Sequence, residues 1–229
     1  MSIQLRLRPV ILALAAIAVS SVGSTQAGDG LIGSFDLTKV VGTEAANCKQ
    51  CHPSEVAQWK TTAHARSSAR LKYEGNSKKY ADALGIAAGD LMGDSVCADC
   101  HGTKASRNGK VSVVSGVSCE SCHGPSADWL KSHGEYHDGM AFKSLEQLRA
   151  DRSKETGDHR AARLAAIEKA GMVRPAEIHS LASNCLDCHI VGNDALIAAG
   201  HKASSSFELV SWSGGEVRHN YLMDKGTNA

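Results

Sequence analysis

One five-residue pattern, Cys-x-x-Cys-His, occurs four times in the chain and uses all eight of its cysteines. The copies are Cys48-Lys49-Gln50-Cys51-His52, Cys97-Ala98-Asp99-Cys100-His101, Cys119-Glu120-Ser121-Cys122-His123 and Cys185-Leu186-Asp187-Cys188-His189. A redox dithiol, a zinc knuckle or a disulfide framework can each use Cys-x-x-Cys, but none requires a histidine directly after the second cysteine of every pair. Covalent attachment of haem c does require it. The two thiols add to the vinyl groups of one porphyrin, and the adjacent histidine lies beneath the iron as an axial ligand. The pattern predicts four haem c groups bound through Cys48, Cys51, Cys97, Cys100, Cys119, Cys122, Cys185 and Cys188, with His52, His101, His123 and His189 as proximal ligands.

Four porphyrins also account for an odd composition. Aromatic residues make up 4% of the chain, with three Phe, three Trp and four Tyr, a thin supply of large core side chains. The expected fold is mainly α with long coil, a single multihaem cytochrome c domain built around its haems. A helix is expected from Pro53 through Arg66, with proline in the first turn. A short β segment is expected between Gly109 and Ser118. The longest helical stretch runs from Ser144 to Ala170, broken near Gly157 and closed by Gly171. The haem sites fall at unequal intervals, so no tandem repeat is present. The second and third sites, 22 residues apart, are expected to hold neighbouring haems.

The amino terminus reads as a signal peptide over residues 1–27. Arg6 and Arg8 precede an apolar run from Val10 to Val19, and small residues lead to Ala27. That run is shorter than the roughly 20 residues of a membrane-spanning helix. Cleavage there leaves a tetrahaem domain over 28–229 and predicts a periplasmic protein, with an extracellular location as the alternative. Once Arg6 and Arg8 are set aside, the remaining basic residues nearly balance the 24 acidic ones. No basic block points to nucleic acid.

Seven of the eleven histidines lie outside the attachment motifs: His64, His133, His137, His159, His179, His201 and His219. That supply favours a second histidine on each iron, which holds the potential lower than a methionine would. On an unbroken helix His52 and His64 would stand roughly 18 Å apart, so His64 is expected to reach a different haem from that of His52. His159, in a charged stretch, is expected to face solvent.

Two segments carry a resemblance to a known family. Trp59-Lys60-Thr61-Thr62-Ala63-His64 after the first site, and Gly116-Val117-Ser118-Cys119-Glu120-Ser121-Cys122-His123-Gly124-Pro125 at the third, are similar to the cytochrome c-554 family, tetrahaem carriers of ammonia oxidisers and their relatives. The order of the four sites and the chain length extend the likeness over nearly all of the chain after the leader. The resemblance implies that His64 ligates the third haem opposite His123. It implies that a histidine shortly after the third site ligates the first haem opposite His52, a place that His133 fits, with His137 as runner-up. It further implies a distal ligand for the fourth haem about thirty residues beyond its own site, where His219 stands. The second haem of the best-known member is five-coordinate. This chain departs from it in having His179 and His201, and His201 is the expected ligand of the second haem or, failing that, of the fourth in place of His219.

Three functions are compatible with these residues. The favoured one is an electron carrier, not an enzyme, working between redox protein partners such as a membrane-bound quinol oxidoreductase or another cytochrome. The alternatives are a redox enzyme acting on a small nitrogen species at one open iron, and a subunit of an extracellular cytochrome filament.

Overall fold

The computed structural model describes residues 35–42, 46–140, 144–174 and 176–205. The expected signal peptide, the start of the lead-in, Trp212 and His219 lie outside the described residues. Among the described residues the chain is helices and coil with one β-hairpin, and no helix there is long and apolar enough to cross a membrane.

Each haem motif occupies the last turn of a short helix or the residue just beyond it. Helix α1 is Ala46–Cys51, with His52 following and its amide still bonded to the Cys48 carbonyl at 2.8 Å. Helices α4 (Val96–His101), α5 (Cys119–His123) and α9 (Ile178–His189) all end on the motif histidine. A helical turn sets positions i, i+3 and i+4 on one face. The two sulfurs and the imidazole of each motif therefore converge on one side. The start of each turn is fixed by local chemistry. Ser95 caps α4 by accepting from the Ala98 amide at 3.2 Å, and Ser118 and Ser121 form a capping box on α5.

Helix α2 is Pro53–Trp59, with proline in its first turn, and it stops seven residues before the expected end. The reason is the threonine pair. Thr61 and Thr62 donate their hydroxyls back to the carbonyls of Gln58 and Trp59, both at 2.7 Å, and the chain turns there. After a 3-10 turn at Ser67–Leu71 comes α3, Gly75–Ala83. Strand β1 (Thr103–Arg107) pairs antiparallel with β2 (Lys110–Ser115) around Asn108-Gly109, both at positive φ. The predicted β segment is thus real but ends at Ser115 and has a partner strand that its own sequence did not announce. Helix α6 is Leu130–His133. The long helical stretch resolves into α7 (Leu145–Lys154), capped by Ser144, and α8 (Gly157–Lys169), capped by Thr156, with Gly171 at φ +93° after it. Helix α10 is Asp194–Ala198.

The protein core is lean. Leu91 and Ile167 are the largest fully buried side chains among the described residues. Trp59, Trp129, Tyr136 and Leu148 are also buried, each beside or near a histidine-bearing segment. Helix α6 packs on α8, and α5 and α4 each pack on α9, so the motif helices are held against one another.

Candidate haem centres

The eight cysteines form no disulfide. Instead they meet in pairs drawn from different motifs. The Cys48 and Cys119 side chains share a hydrogen bond, joining the first site to the third. Cys122 and Cys185 lie close enough that charge on one would oppose charge on the other, joining the third to the fourth. Cys100 and Cys188 share a hydrogen bond, joining the fourth to the second. This last junction is reciprocal: Cys188 Sγ lies 3.7 Å from the Asp99 carbonyl and Cys100 Sγ 4.0 Å from that of Asp187. The attachment points thus run in the order first, third, fourth, second.

The histidines also come in cross-chain pairs. The rings of His52 and His133 have centroids 6.0 Å apart, those of His101 and His201 6.3 Å, and those of His64 and His189 6.0 Å. A transition metal bonded to imidazole at about 2.0–2.1 Å on each side, with about 1.1 Å more from nitrogen to ring centre, needs roughly the same separation. The residues therefore fit an iron between each pair. Two of these pairs, His133 with His52 and His201 with His101, join residues that the sequence offered as candidate ligands of one site. In the third pair, His64, expected opposite His123, has its ring beside that of His189. The helix expected through residue 66, which would separate His64 from His52, is not continuous. The helix ends at Trp59, yet His64 still lies with a different site.

The electrostatics suit metal ligation, which needs neutral imidazoles. Burial first, then the positive charge of Arg70 and of a protonated His201, pushes the His101 pKa down to about 4. Burial likewise takes His133 down to about 4, helped by the neighbouring His52 and Arg163. Burial also lowers His52 and His123. At the sulfurs, burial pushes Cys122 up to about 12, and the bond to Cys119 together with burial raises Cys48 further. At these two sulfurs a thiolate is disfavoured, as suits an uncharged thioether, whereas the bond with Cys188 lowers Cys100.

Hydrogen bonds set the imidazole orientations. His123 Nδ1–H donates to the Val173 carbonyl at 2.8 Å, and the Val173 amide returns a bond to the His123 carbonyl at 2.9 Å, leaving Nε2 as the outward nitrogen. His201 Nδ1–H donates to the Lys202 carbonyl at 2.9 Å, and His189 Nδ1 lies 2.6 Å from the Ser205 hydroxyl. His201 rides on a loop that closes on itself. Ile190 bridges Ser204, and the Val191 amide bonds the Ala203 carbonyl. Tyr80 from α3 steadies that loop, donating its hydroxyl to Gly200 at 3.1 Å and packing edge-on to the His201 ring at 5.2 Å.

The remaining histidines separate by their surroundings. His137 is exposed, with Nε2 3.7 Å from Asp151, and His179 is exposed on α9. His159, expected in solvent, is half-buried and donates to Glu155 at 2.9 Å.

The two segments that carried the family resemblance touch in space. Trp59 Nε1 donates to the Val117 carbonyl at 2.8 Å, and the Val117 amide donates to Ser67 Oγ at 3.0 Å. Gly116 lies so close to the His64–Ala65 backbone that a Cβ there would stand 2.3 Å from the His64 carbonyl oxygen. The polar set that ties the site together was missed from the sequence. Asn184 on α9 donates to the carbonyls of Ser121 and Cys122, at 3.1 and 2.7 Å. Thr103 links Gly116, Ser118 and Ser121 through its hydroxyl.

Comparisons with known proteins match part of the chain to one family. Residues 47–124 match the family described as cytochrome c554 and c-prime. Over that stretch the chain carries the cytochrome c-554 family pattern. The match takes in the first three attachment motifs, the segment Trp59 to His64 and the segment from Gly116 as far as Gly124. Cytochrome c-554 of Nitrosomonas europaea is 32% identical over 102 residues, which is 42% of this chain and 43% of that protein. The aligned part thus spans less than half of the relative's length, narrower than the likeness read from the sequence. No solved structure matches the chain.

Proposed function

We propose that this protein is a tetrahaem c-type cytochrome that carries electrons between redox proteins outside the cytoplasm. Bound haem supplies the one-electron iron couple. The polypeptide supplies two axial imidazoles per iron, a low-dielectric jacket and the spacing of the groups. The observation that carries this reading is that cysteines of different motifs neighbour one another, Cys48 with Cys119, Cys122 with Cys185 and Cys188 with Cys100. Attachment points that neighbour one another in this order give a path with the first site at one end and the second at the other.

The ring pairs support a proposed distal ligand for three sites: His133 for the haem of Cys48 and Cys51, His201 for that of Cys97 and Cys100, and His64 for that of Cys185 and Cys188. His219 is then released from the fourth haem and becomes the candidate opposite His123. His201 beside His101 weighs against an open iron at the second haem, and so against an enzyme acting there on a small nitrogen species. The leader of residues 1–27 supports export to the periplasm, where another cytochrome or a membrane quinol oxidoreductase would be met.

Electron paramagnetic resonance during a redox titration of the holoprotein tests this reading. Four low-spin ferric signals at low potential are expected. A high-spin signal that responds to nitric oxide would replace the carrier with the enzyme, and micrometre fibres in negative stain would replace it with the filament subunit.

A further inference from the structure

The distal histidine of the first site stands at the end of a very short helix. Helix α6 has four residues and ends on His133, so its terminal carbonyls have few partners within the helix. One of them is met from α8. Arg163 donates Nη1–H to the His133 carbonyl at 2.8 Å. The rest of the guanidinium is fixed as well. Nε and Nη2 form a fork on the two Glu155 oxygens at 2.7 and 2.8 Å, and the group lies over the Tyr136 ring with its carbon 4.7 Å from the centroid. The Arg163 side chain is 9% exposed and that of Glu155 3%, so the pair is a buried strut and not a surface ion pair. A cation at a helix C-terminus is also favoured by the helix dipole. On its other side the His133 ring packs edge-on to Trp129 at 5.7 Å.

We infer that Arg163, locked by Glu155 and Tyr136, is the positioning residue that holds His133 against the iron of the first haem. This rests on the proposed role of His133 as that iron's distal ligand. A planar fork fixes direction in a way a lysine ammonium cannot, so even a charge-conserving change should loosen the ligand.

The test compares Arg163→Lys, Arg163→Ala, Glu155→Gln and His133→Ala in the four-haem holoprotein by ferric electron paramagnetic resonance. His133→Ala should turn one haem in four from low-spin to high-spin. Arg163→Lys and Glu155→Gln should move or broaden the low-spin signal that His133→Ala abolishes. Arg163→Ala should convert part of that haem to high-spin, with free imidazole restoring the low-spin form. The double variant Arg163→Ala/His133→Ala should match His133→Ala alone. If Arg163→Ala fails to take up haem, the two conservative variants carry the test. A high-spin haem in His133→Ala with wild-type spectra for all Arg163 and Glu155 variants would overturn the positioning role and leave the ligand standing. An unchanged spectrum in His133→Ala would remove the ligand assignment and the inference with it.

Discussion

The third attachment motif carries a carboxylate between its two cysteines, and removing that charge makes the sharpest demand on this structure. Glu120 is 2% exposed. Its Oε1 accepts from the Val41 amide at 2.9 Å, the Ser126 amide at 2.9 Å and the Ser126 hydroxyl at 2.5 Å, while Oε2 accepts from the Gly42 amide at 2.7 Å. One side chain thus ties the lead-in before the first haem site to the segment leaving the third. Glu120→Gln preserves shape and can keep the three bonds to Oε1. It turns an amide N–H toward the Gly42 N–H, so two donors face each other where an acceptor stood. A lost charge-assisted bond is worth about 1.5–3 kcal/mol, and a buried donor left unpaired costs about 1–3 kcal/mol. Relaxation of the nearby surface segment should bring the net loss to about 2 kcal/mol, and Glu120→Ala, which strands three backbone amides, to about 4 kcal/mol.

The assay is guanidinium unfolding of the holoprotein followed by far-ultraviolet circular dichroism and by the Soret band together. Haem content should stay at the wild-type level, since the attaching cysteines are untouched. Loss of a buried negative charge should also raise the midpoint potential of one haem. A Glu120→Gln protein within about 0.5 kcal/mol of wild type, an ordinary effect for an exposed substitution, would refute the claim that this carboxylate anchors the fold.

Other substitutions test the site piece by piece. Gly116→Ala places a methyl carbon 2.3 Å from the His64 carbonyl oxygen, so it should displace the His64 segment and make one haem high-spin by magnetic resonance. His64→Ala should produce the high-spin form at the haem of Cys185 and Cys188, readable by whether a Cys185→Ser/Cys188→Ser background abolishes the new signal. Trp59→Phe keeps the ring but drops the bond to the Val117 carbonyl, and should lower unfolding stability by about 1 kcal/mol with no change of spin state. Arg163 and then His159 hold the Glu155 carboxyl below its ordinary pKa of 4.5, despite its burial. Its stabilising contribution is therefore full above that value and lost as pH falls through the lowered folded value. Glu155→Gln should be less stable at neutral pH and show a shallower acid limb in denaturation against pH.

What could be read from the sequence was whatever depends on near neighbours. The motifs, the break at Gly157 and the proline start of α2 are all set within four or five residues, and each is where local rules put it. The end of α2 was misjudged because Thr61 and Thr62 bond back to their own turn, a competition that apolar periodicity does not register. The hairpin was half-read. Asn108-Gly109 marks its turn, but β1 contains Lys104, Ser106 and Arg107 and lacks the alternation that announces a strand. The struts were invisible for a different reason. Asn184 meets Ser121 from 63 residues away and Arg163 meets His133 from 30, and nothing in either local segment names its partner.

The order of the sites shows most plainly why spacing along the chain is a poor guide here. The second and third motifs are separated by 22 residues, yet the hydrogen-bonded thiols join the third site to the first and the second to the fourth. The hairpin between them does bring their helices together: Thr103, just after α4, bonds Ser118 and Ser121 at 2.9 and 2.7 Å. That contact uses the polar caps, not the sulfurs. Cys-x-x-Cys on a helix presents its two sulfurs to one face, and the cap hydroxyls that join α4 to α5 leave those faces to other partners. Cys48 takes the side of Cys119, and α9, tied to α5 by Asn184, brings Cys185 toward Cys122 and Cys188 toward Cys100. The proposed distal histidines follow the same logic. Each of the three ring pairs joins a motif histidine to one from a separate segment, so every paired site is closed by two stretches of chain. Loss of any one distal histidine should therefore cost local spin state first and overall fold only second.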